Sequence, residues 1–309
     1  MAPHRPTGEK QSFTTFGWQG INLTVLSEWT LVSTRGDRRA GYVRLDDERR
    51  ARLELRWEKT DRLTPPSRGV DRYLDKLQKS ARKEGTDLSV QRNLRLARPP
   101  GKDVECYRWV GEQQAVAMLS RCEDCNRTLH IHLLGEPDEQ LKSLARTVFS
   151  SVQDHPDDGV ELWRFFDVEF ESPVHLPLKR QSLKVGCIRM CFATRAARLE
   201  FVRVSLAEVL LADRALEEWF REFYAKFLKW RTYSLEADQV KGHPGLRVEG
   251  RVPLVLNPLR VLGRDRQMRA ACWHCEQTNR LMICSFEGLQ REAGVFQDAL
   301  ASSVCCRGA

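Results

Sequence analysis

Apolar and polar residues alternate with period two over I-N-L-T-V (21–25), G-Y-V-R-L (41–45) and A-R-L-E-L-R-W (51–57), with another extended piece at W-T-L-V-S (29–33). Such alternation gives a strand one buried and one solvated face. The clusters R-G-D-R-R (35–39) and D-D-E-R-R (46–50) suit exposed turns of an antiparallel meander. The period then changes. Val70, Tyr73, Leu74, Leu77 and Ala81 recur at helical spacing and leave one apolar face, and Gly85 supplies a stop. Extended pieces return at 88–96, 104–110, 115–120 and 128–134, and a final helix is expected over 138–152, after Pro137. Strands this closely spaced leave no room for βαβ crossovers, so the expected fold class is α+β, a mostly antiparallel sheet packed with two helices.

The same order recurs. Trp18 matches Trp163, and at that offset Ile21, Leu23, Val25 and Ser27 match Phe166, Val168, Phe170 and Ser172. A-R-L-E-L (51–55) meets A-R-L-E-F (197–201), and V-D-R-Y-L-D-K-L meets L-E-E-W-F-R-E-F. R-C-E-D-C-N-R (121–127) and H-C-E-Q-T-N-R (274–280) share C-E-x-x-N-R, and both copies finish alike, T-V-F-S-S-V (147–152) against A-L-A-S-S-V (299–304). An ordered series of matches with small offset drift points to tandem duplication. The expected units are 12–153 and 160–306, after a flexible lead over 1–11, with an insertion at about 252–266 in the second. The second unit's helix, 216–230, has a wider aromatic face: Trp219, Phe220, Phe223, Tyr224, Phe227 and Trp230.

An opening aromatic strand, the G-x-x-x-L hairpin strand before A-R-L-E-[LF], and a final helix after the C-E-x-x-N-R strand together resemble the PsbP-like fold, shared with the Ran-release-factor family. The resemblance implies an α+β sandwich in each unit and a binding or assembly role. It carries over no functional residue.

Composition narrows the choices. Hydrophobic content of 41% with 30% charge in 309 residues is that of a globular chain, long enough for two cores. No stretch reaches the roughly 18 apolar residues of a membrane span. Residues 1–10 lack the apolar core of a secretory signal, so a cytoplasmic location is expected. The net charge of +8 sets 50 basic against 42 acidic residues and permits an acidic partner without requiring one. Ten cysteines in such a chain read mostly as buried thiols.

The sharpest chemical strings are C-E-D-C and C-W-H-C. Cys122, Cys125, Cys272 and Cys275 would make a four-thiolate zinc site if brought together, but zinc ribbons place their pairs within about 15 to 20 residues, far less than the separation here. The C-E-x-x-N-R string reads instead as a hairpin turn. Asn126 and Asn279 tolerate left-handed backbone there, and Arg127 and Arg280 can pair with Glu123 and Glu276. His130 and His132 share one strand face and are read as a packed or solvent-facing pair, because their counterparts are Ile283 and Ser285. H-P-G (243–245) reads as a turn, and no catalytic order or phosphate loop is present. Acidic residues interrupt two of the basic clusters, so a nucleic-acid groove is less favoured than solvated hairpin tips. The insertion is apolar, bounded by prolines and unmatched in the first copy.

The expected function is a non-enzymatic module that binds a protein partner and needs no cofactor. Its contact surface is expected at Leu254, Leu256, Leu259, Arg260, Leu262 and Arg264, with the neighbouring Trp273. The alternative is a zinc-containing or nucleic-acid-binding protein using the cysteine pairs and the basic tips.

Overall fold

The computed structural model describes residues 12–60, 64–96, 99, 101–156, 158–252 and 266–306. They group into two compact units. One runs to Pro156 and takes in Arg164–Phe166; the other comprises Asp157–Trp163 and Asp167 onward. The insertion residues Leu254, Leu256, Leu259, Arg260, Leu262 and Arg264 lie outside the described residues.

The first unit opens with an antiparallel hairpin, β1 (Phe13–Trp18) and β2 (Ile21–Leu26), turned by Gln19 and Gly20, both with positive φ. That left-handed pair matches the right-handed twist of the flanking strands. There follow β3 (Thr30–Gly36), β4 (Ala40–Asp46), β5 (Ala51–Lys59), α1 (Pro66–Glu84), β6 (Ser89–Gln91), β7 (Lys102–Val110), β8 (Gln114–Cys122), β9 (Arg127–Gly135), α2 (Lys142–Ser150) and β10 (Gln153–Asp154). Strands β3 to β9 form one antiparallel sheet in the order β3-β4-β5-β9-β8-β7-β6. Strand β8 is buried from Gln114 to Ser120, so side chains on both of its faces are covered. On one face Val70 and Leu74 of α1 meet Tyr107, Ala117 and Leu119. Gly85 ends α1 in the left-handed conformation, φ 69°. Helix α2 begins at Lys142, later than expected, and buries Leu144, Ala145, Val148 and Phe149. The residues before it are held as a turn, since Glu139 is engaged by Arg52 and by the Glu136 amide.

The second unit takes in β11 (Val160–Phe165) as far as Trp163, then β12 (Val168–Pro173), β13 (Leu178–Lys184), β14 (Cys187–Ala193), β15 (Arg198–Ser205), α3 (Ala207–Leu210), α4 (Leu216–Phe223), α5 (Ala225–Leu228), β16 (Thr232–Val240), β17 (His243–Arg251), β18 (Arg266–Cys275), β19 (Arg280–Leu289) and α6 (Gly294–Ser302). Its sheet runs β13-β14-β15-β19-β18-β17-β16, the strand order of the first unit repeated. The single aromatic helix expected over 216–230 is broken at Tyr224 into α4 and α5. Trp219, Phe220, Tyr224 and Leu228 still point inward onto Val202, Val248, Met268, Cys272 and Ile283, while Trp230, with positive φ, is exposed.

Asn126 and Asn279 have left-handed backbone, φ 57° and 52°, in the turns between β8 and β9 and between β18 and β19. The expected pairing of their arginines fails. Arg127 turns inward, donating from Nε to Asp154 Oδ1 at 2.5 Å and from Nη1 to the carbonyl of Gln19 at 3.0 Å. Arg280 pairs with Asp167. A buried carboxylate repays a guanidinium better than the exposed Glu123, which is left to Arg121 at 3.5 Å.

Candidate functional site

Two kinds of site emerge: a groove in the first unit and a cysteine–histidine cluster in each unit. The groove, about 720 Å³, lies between the β3–β4 hairpin, β5 and the start of α1. Its shape depends on two glycines. Gly36 holds φ 86° at the hairpin tip, and a Cβ on Gly41 would lie 2.2 Å from Trp57 Cζ2. Only a bare backbone lets the Trp57 ring tuck beneath the tip, where its indole N–H donates to the Asp37 carbonyl at 2.7 Å. Trp57 and Leu119 supply apolar lining, and Arg35, Arg56 and Arg72 line the groove as exposed cations; among the described lining residues the one carboxylate is Glu58, and Arg56 also meets Glu54 at 3.5 Å. Arg35 and Arg56 lie over the Tyr42 ring, 5.1 Å and 5.3 Å from its centroid. The Tyr42 hydroxyl donates to Glu54 Oε1 at 2.9 Å. Burial and that carboxylate push it up to about 12, so it stays a neutral donor.

His130 also lines the groove and leads to a closed polar cluster behind it. Tyr107 Oη lies 2.5 Å from His130 Nε2 and 3.0 Å from His132 Nε2, and the two imidazole rings are 4.1 Å apart. One hydroxyl has one proton to give, so one imidazole accepts from Tyr107 and the other donates to its oxygen. Burial, with Arg56 adding to it, pulls His130 down to about 4, and burial and His130 hold His132 well below its ordinary value. Both rings are therefore neutral near pH 7. The pair expected from their alternation is a packed one.

In the second unit the positions of His130 and His132 are taken by Ile283 and Ser285, and the helix fills the space. The Tyr224 hydroxyl donates to Glu200 Oε2 at 2.8 Å and lies 3.5 Å from Ser285 Oγ. Arg189 caps Phe223 and Tyr224 at 5.1 Å and 5.7 Å.

The cysteine strings divide unexpectedly. Cys122 ends β8 and Cys125 sits in the following turn, so both thiols reach one place, joined by His155 after β10. Cys122 Sγ is 3.3 Å from His155 Nε2, and Cys125 Sγ is 3.5 Å from Asp154 Oδ2. Burial and Asp154 push Cys125 up to about 12. Cys272 and Cys275 both lie within β18, where residues three apart face opposite ways. Cys272 packs into the core under α4, its thiol raised by burial, and takes no part in a four-thiolate site with Cys275. Cys275 instead meets His243, Cys305 and Cys306, and the four ligand atoms all lie within 4.8 Å of one another. Cys306 Sγ is 3.4 Å from His243 Nε2 and 3.9 Å from Cys305 Sγ. Burial opposes ionisation of Cys275, but hydrogen bonds from Thr278 and the neighbouring thiols outweigh it and hold Cys275 below the ordinary cysteine value.

Trp273, expected at a contact surface, is fully buried, and its indole lies beside Cys305. The arginines at the β4–β5 tip are engaged locally: Arg50 pairs with Glu136, and Arg52 with Asp47 and Glu139. His155, Cys305 and Cys306 escaped the sequence reading, and H-P-G, expected to be a turn, instead opens β17 with His243; the repeat held the clue. After the matched helix ends, Q-D-H follows in one copy and C-C in the other, at the same place beside the C-E-x-x-N-R turn.

No protein-family model matches the chain, and no curated relative matches it. Among solved structures, the cyanobacterial PsbP (CyanoP) of Synechocystis is 14% identical, with a TM-score of 0.34 over 47% of this chain and 92% of that one. A Pseudomonas aeruginosa protein of unknown function, a putative regulator, is 14% identical, with a TM-score of 0.28 over 48% of this chain and 99% of that one. The immunity protein TplEi of the P. aeruginosa T6SS, solved with an "L" peptide, is 11% identical, with a TM-score of 0.31 over 96% of this chain and 98% of that one. The resemblance is weak and at the level of fold.

Proposed function

We propose that this chain is a non-enzymatic module, built from two duplicated α+β sandwiches, that captures an acidic extended segment of a protein partner in the groove of the first unit. The observation that carries this reading is the groove's charge. Among the described residues Arg35, Arg56 and Arg72 face it against Glu58, with Glu54 beside it 3.5 Å from Arg56, above an apolar lining of Trp57 and Leu119. A peptide with apolar side chains flanked by carboxylates complements such a surface, and guanidinium groups already ordered over Tyr42 lose less entropy on pairing. The two imidazoles nearest the groove are held neutral in a closed network, which suits a packed floor better than proton transfer. The apolar insertion of the second unit is a further contact surface under this proposal, and a cytoplasmic setting belongs to it.

Selection from a displayed peptide library tests the reading. The expected result is an acidic consensus whose binding falls at least about tenfold in Arg56→Glu and Arg72→Glu, since each close charge pair contributes about 1.5 kcal/mol or more. A consensus indifferent to both substitutions removes the groove, and absence of enrichment removes peptide capture.

A further inference from the structure

We propose that His243, Cys275, Cys305 and Cys306 form a tetrahedral zinc site that fastens the chain's last described residues to the ends of two inner strands, β17 and β18, of the second unit's sheet. The ligands come from three places distant in sequence: the first residue of β17, the last of β18, and the pair that follows α6. Core packing alone gathers small hydrophobic thiols, but it has no reason to bring a histidine ring nitrogen to them. Here Nε2 of His243 points at Cys306 Sγ, 3.4 Å away, and the thiols of Cys305 and Cys306 stand 3.9 Å apart. Zinc binds sulfur at about 2.3 Å and imidazole nitrogen at about 2.0 Å, so a tetrahedron has S–S edges near 3.8 Å and S–N edges near 3.5 Å. These two separations match those edges, and the other ligand atoms lie within 4.8 Å of one another.

The surroundings fit the same reading. Three thiolates and one imidazole select zinc over magnesium or calcium, which take oxygen ligands. Cys275 is fully buried and Cys305 nearly so, while His243 and Cys306 are half-buried, which leaves an entry path for the ion. The backbone that presents the cysteine pair is positioned independently. Thr278 Oγ1 donates to the Cys305 carbonyl at 3.3 Å, the Val304 amide donates to the Glu169 carbonyl at 2.9 Å, and Lys241 Nζ donates to the Ala301 carbonyl at 2.7 Å. Ligands held by such outer contacts bind without first being ordered. On binding, each thiol still protonated releases its proton to solvent and His243 donates its Nε2 lone pair; no redox step is involved. The first unit's cluster is less complete. It offers Cys122, Cys125 and His155, and the adjacent Asp154 is committed to Arg127.

The test is a cobalt titration of the full-length protein, reduced and stripped with a chelator. One equivalent is expected to give the intense absorption of tetrahedral cobalt–thiolate, and zinc should abolish it. Cys305→Ser/Cys306→Ser should lose that absorption while its far-ultraviolet circular dichroism is unchanged, and Cys122→Ser/Cys125→Ser should keep it. His243→Ala should weaken cobalt binding at least about tenfold, since loss of even an outer-shell partner of a ligand costs about that much. In the wild type, zinc should slow amide exchange across residues 299–304 about tenfold or more relative to the stripped protein. The proposal is overturned if cobalt shows only the weak spectrum of an octahedral ion. It is also overturned if the Cys305/Cys306 variant retains the absorption, or if the reduced chain re-forms a Cys305–Cys306 disulfide instead of taking up metal.

Discussion

The two units share a strand order and differ in what occupies the space between sheet and helix. In the first, a narrow helical face leaves a groove, and behind it Tyr107 satisfies two neutral histidines. In the second, five aromatic rings from α4 and its continuation, Trp219, Phe220, Phe223, Tyr224 and Phe227, fill the equivalent region, and Tyr224 satisfies the buried Glu200. One scaffold thus supports an open face and a plugged one. The difference lies in side-chain volume on one helix and in two residues of one strand, not in topology.

Four experiments break or sharpen that contrast, each read by hydrogen exchange within its own unit, because a chain with two cores does not unfold in one step. The largest effect is expected from the turn arginines. Arg127→Ala strands a fully buried Asp154 and should cost the first unit about 3–5 kcal/mol. Arg280→Ala should cost the second unit only about 1 kcal/mol, since Asp167 is partly exposed and keeps Arg203. Equal losses would mean that the buried pair has no special weight.

Acid comes next. The unfolded His130 takes up a proton near its ordinary 6.5, whereas the folded one resists until about 4. Its contribution is therefore complete above about pH 6.5 and is lost as pH falls toward 4, a change of about 3 kcal/mol at most. The first unit should weaken over that window. Replacing the pair with the second unit's residues, His130→Ile/His132→Ser, should flatten the slope, and an unchanged slope would assign it to other groups.

Tyrosine deletions are smaller. Tyr107→Phe leaves an imidazole without its partner and Tyr224→Phe leaves Glu200 one donor short, each about 1–3 kcal/mol, with the second larger because the orphaned acceptor is a carboxylate. The reverse ranking would place the greater electrostatic demand in the first unit. The smallest effect belongs to the groove. Arg72→Glu on the exposed face of α1 should shift stability by no more than about 0.5 kcal/mol, so any loss of peptide binding reports contact rather than unfolding.

Much of the architecture was legible because period-two strands and an amphipathic helical stretch recur in the same order. The α+β class, the helix ending at Gly85 and the left-handed asparagines follow from local chemistry that tertiary packing did not override. The sites were less legible. A C-x-x-C read as a pair assumes a turn between the cysteines, which holds for Cys122 and Cys125 but not for Cys272 and Cys275 inside a continuing strand. The groove had no linear signature, since its walls come from four separated segments and its shape from the missing side chain of Gly41. Trp273 looked like a contact residue because it neighbours an apolar insertion in sequence, yet it is buried on the sheet face opposite Cys272, beside Cys305.

Arg127 also sets an order in time. Its guanidinium closes the turn of the first hairpin by holding the carbonyl of Gln19, 108 residues earlier in the chain, and it is neutralised by Asp154, 27 residues later. During synthesis the β1–β2 hairpin leaves the ribosome long before either partner exists. Loop closure over such a span is slow, and an isolated hairpin is marginal in water. The amino-terminal hairpin is therefore among the last parts of its unit to become secure, and a nascent chain stopped before Asp154 should leave those strands open to proteases and chaperones.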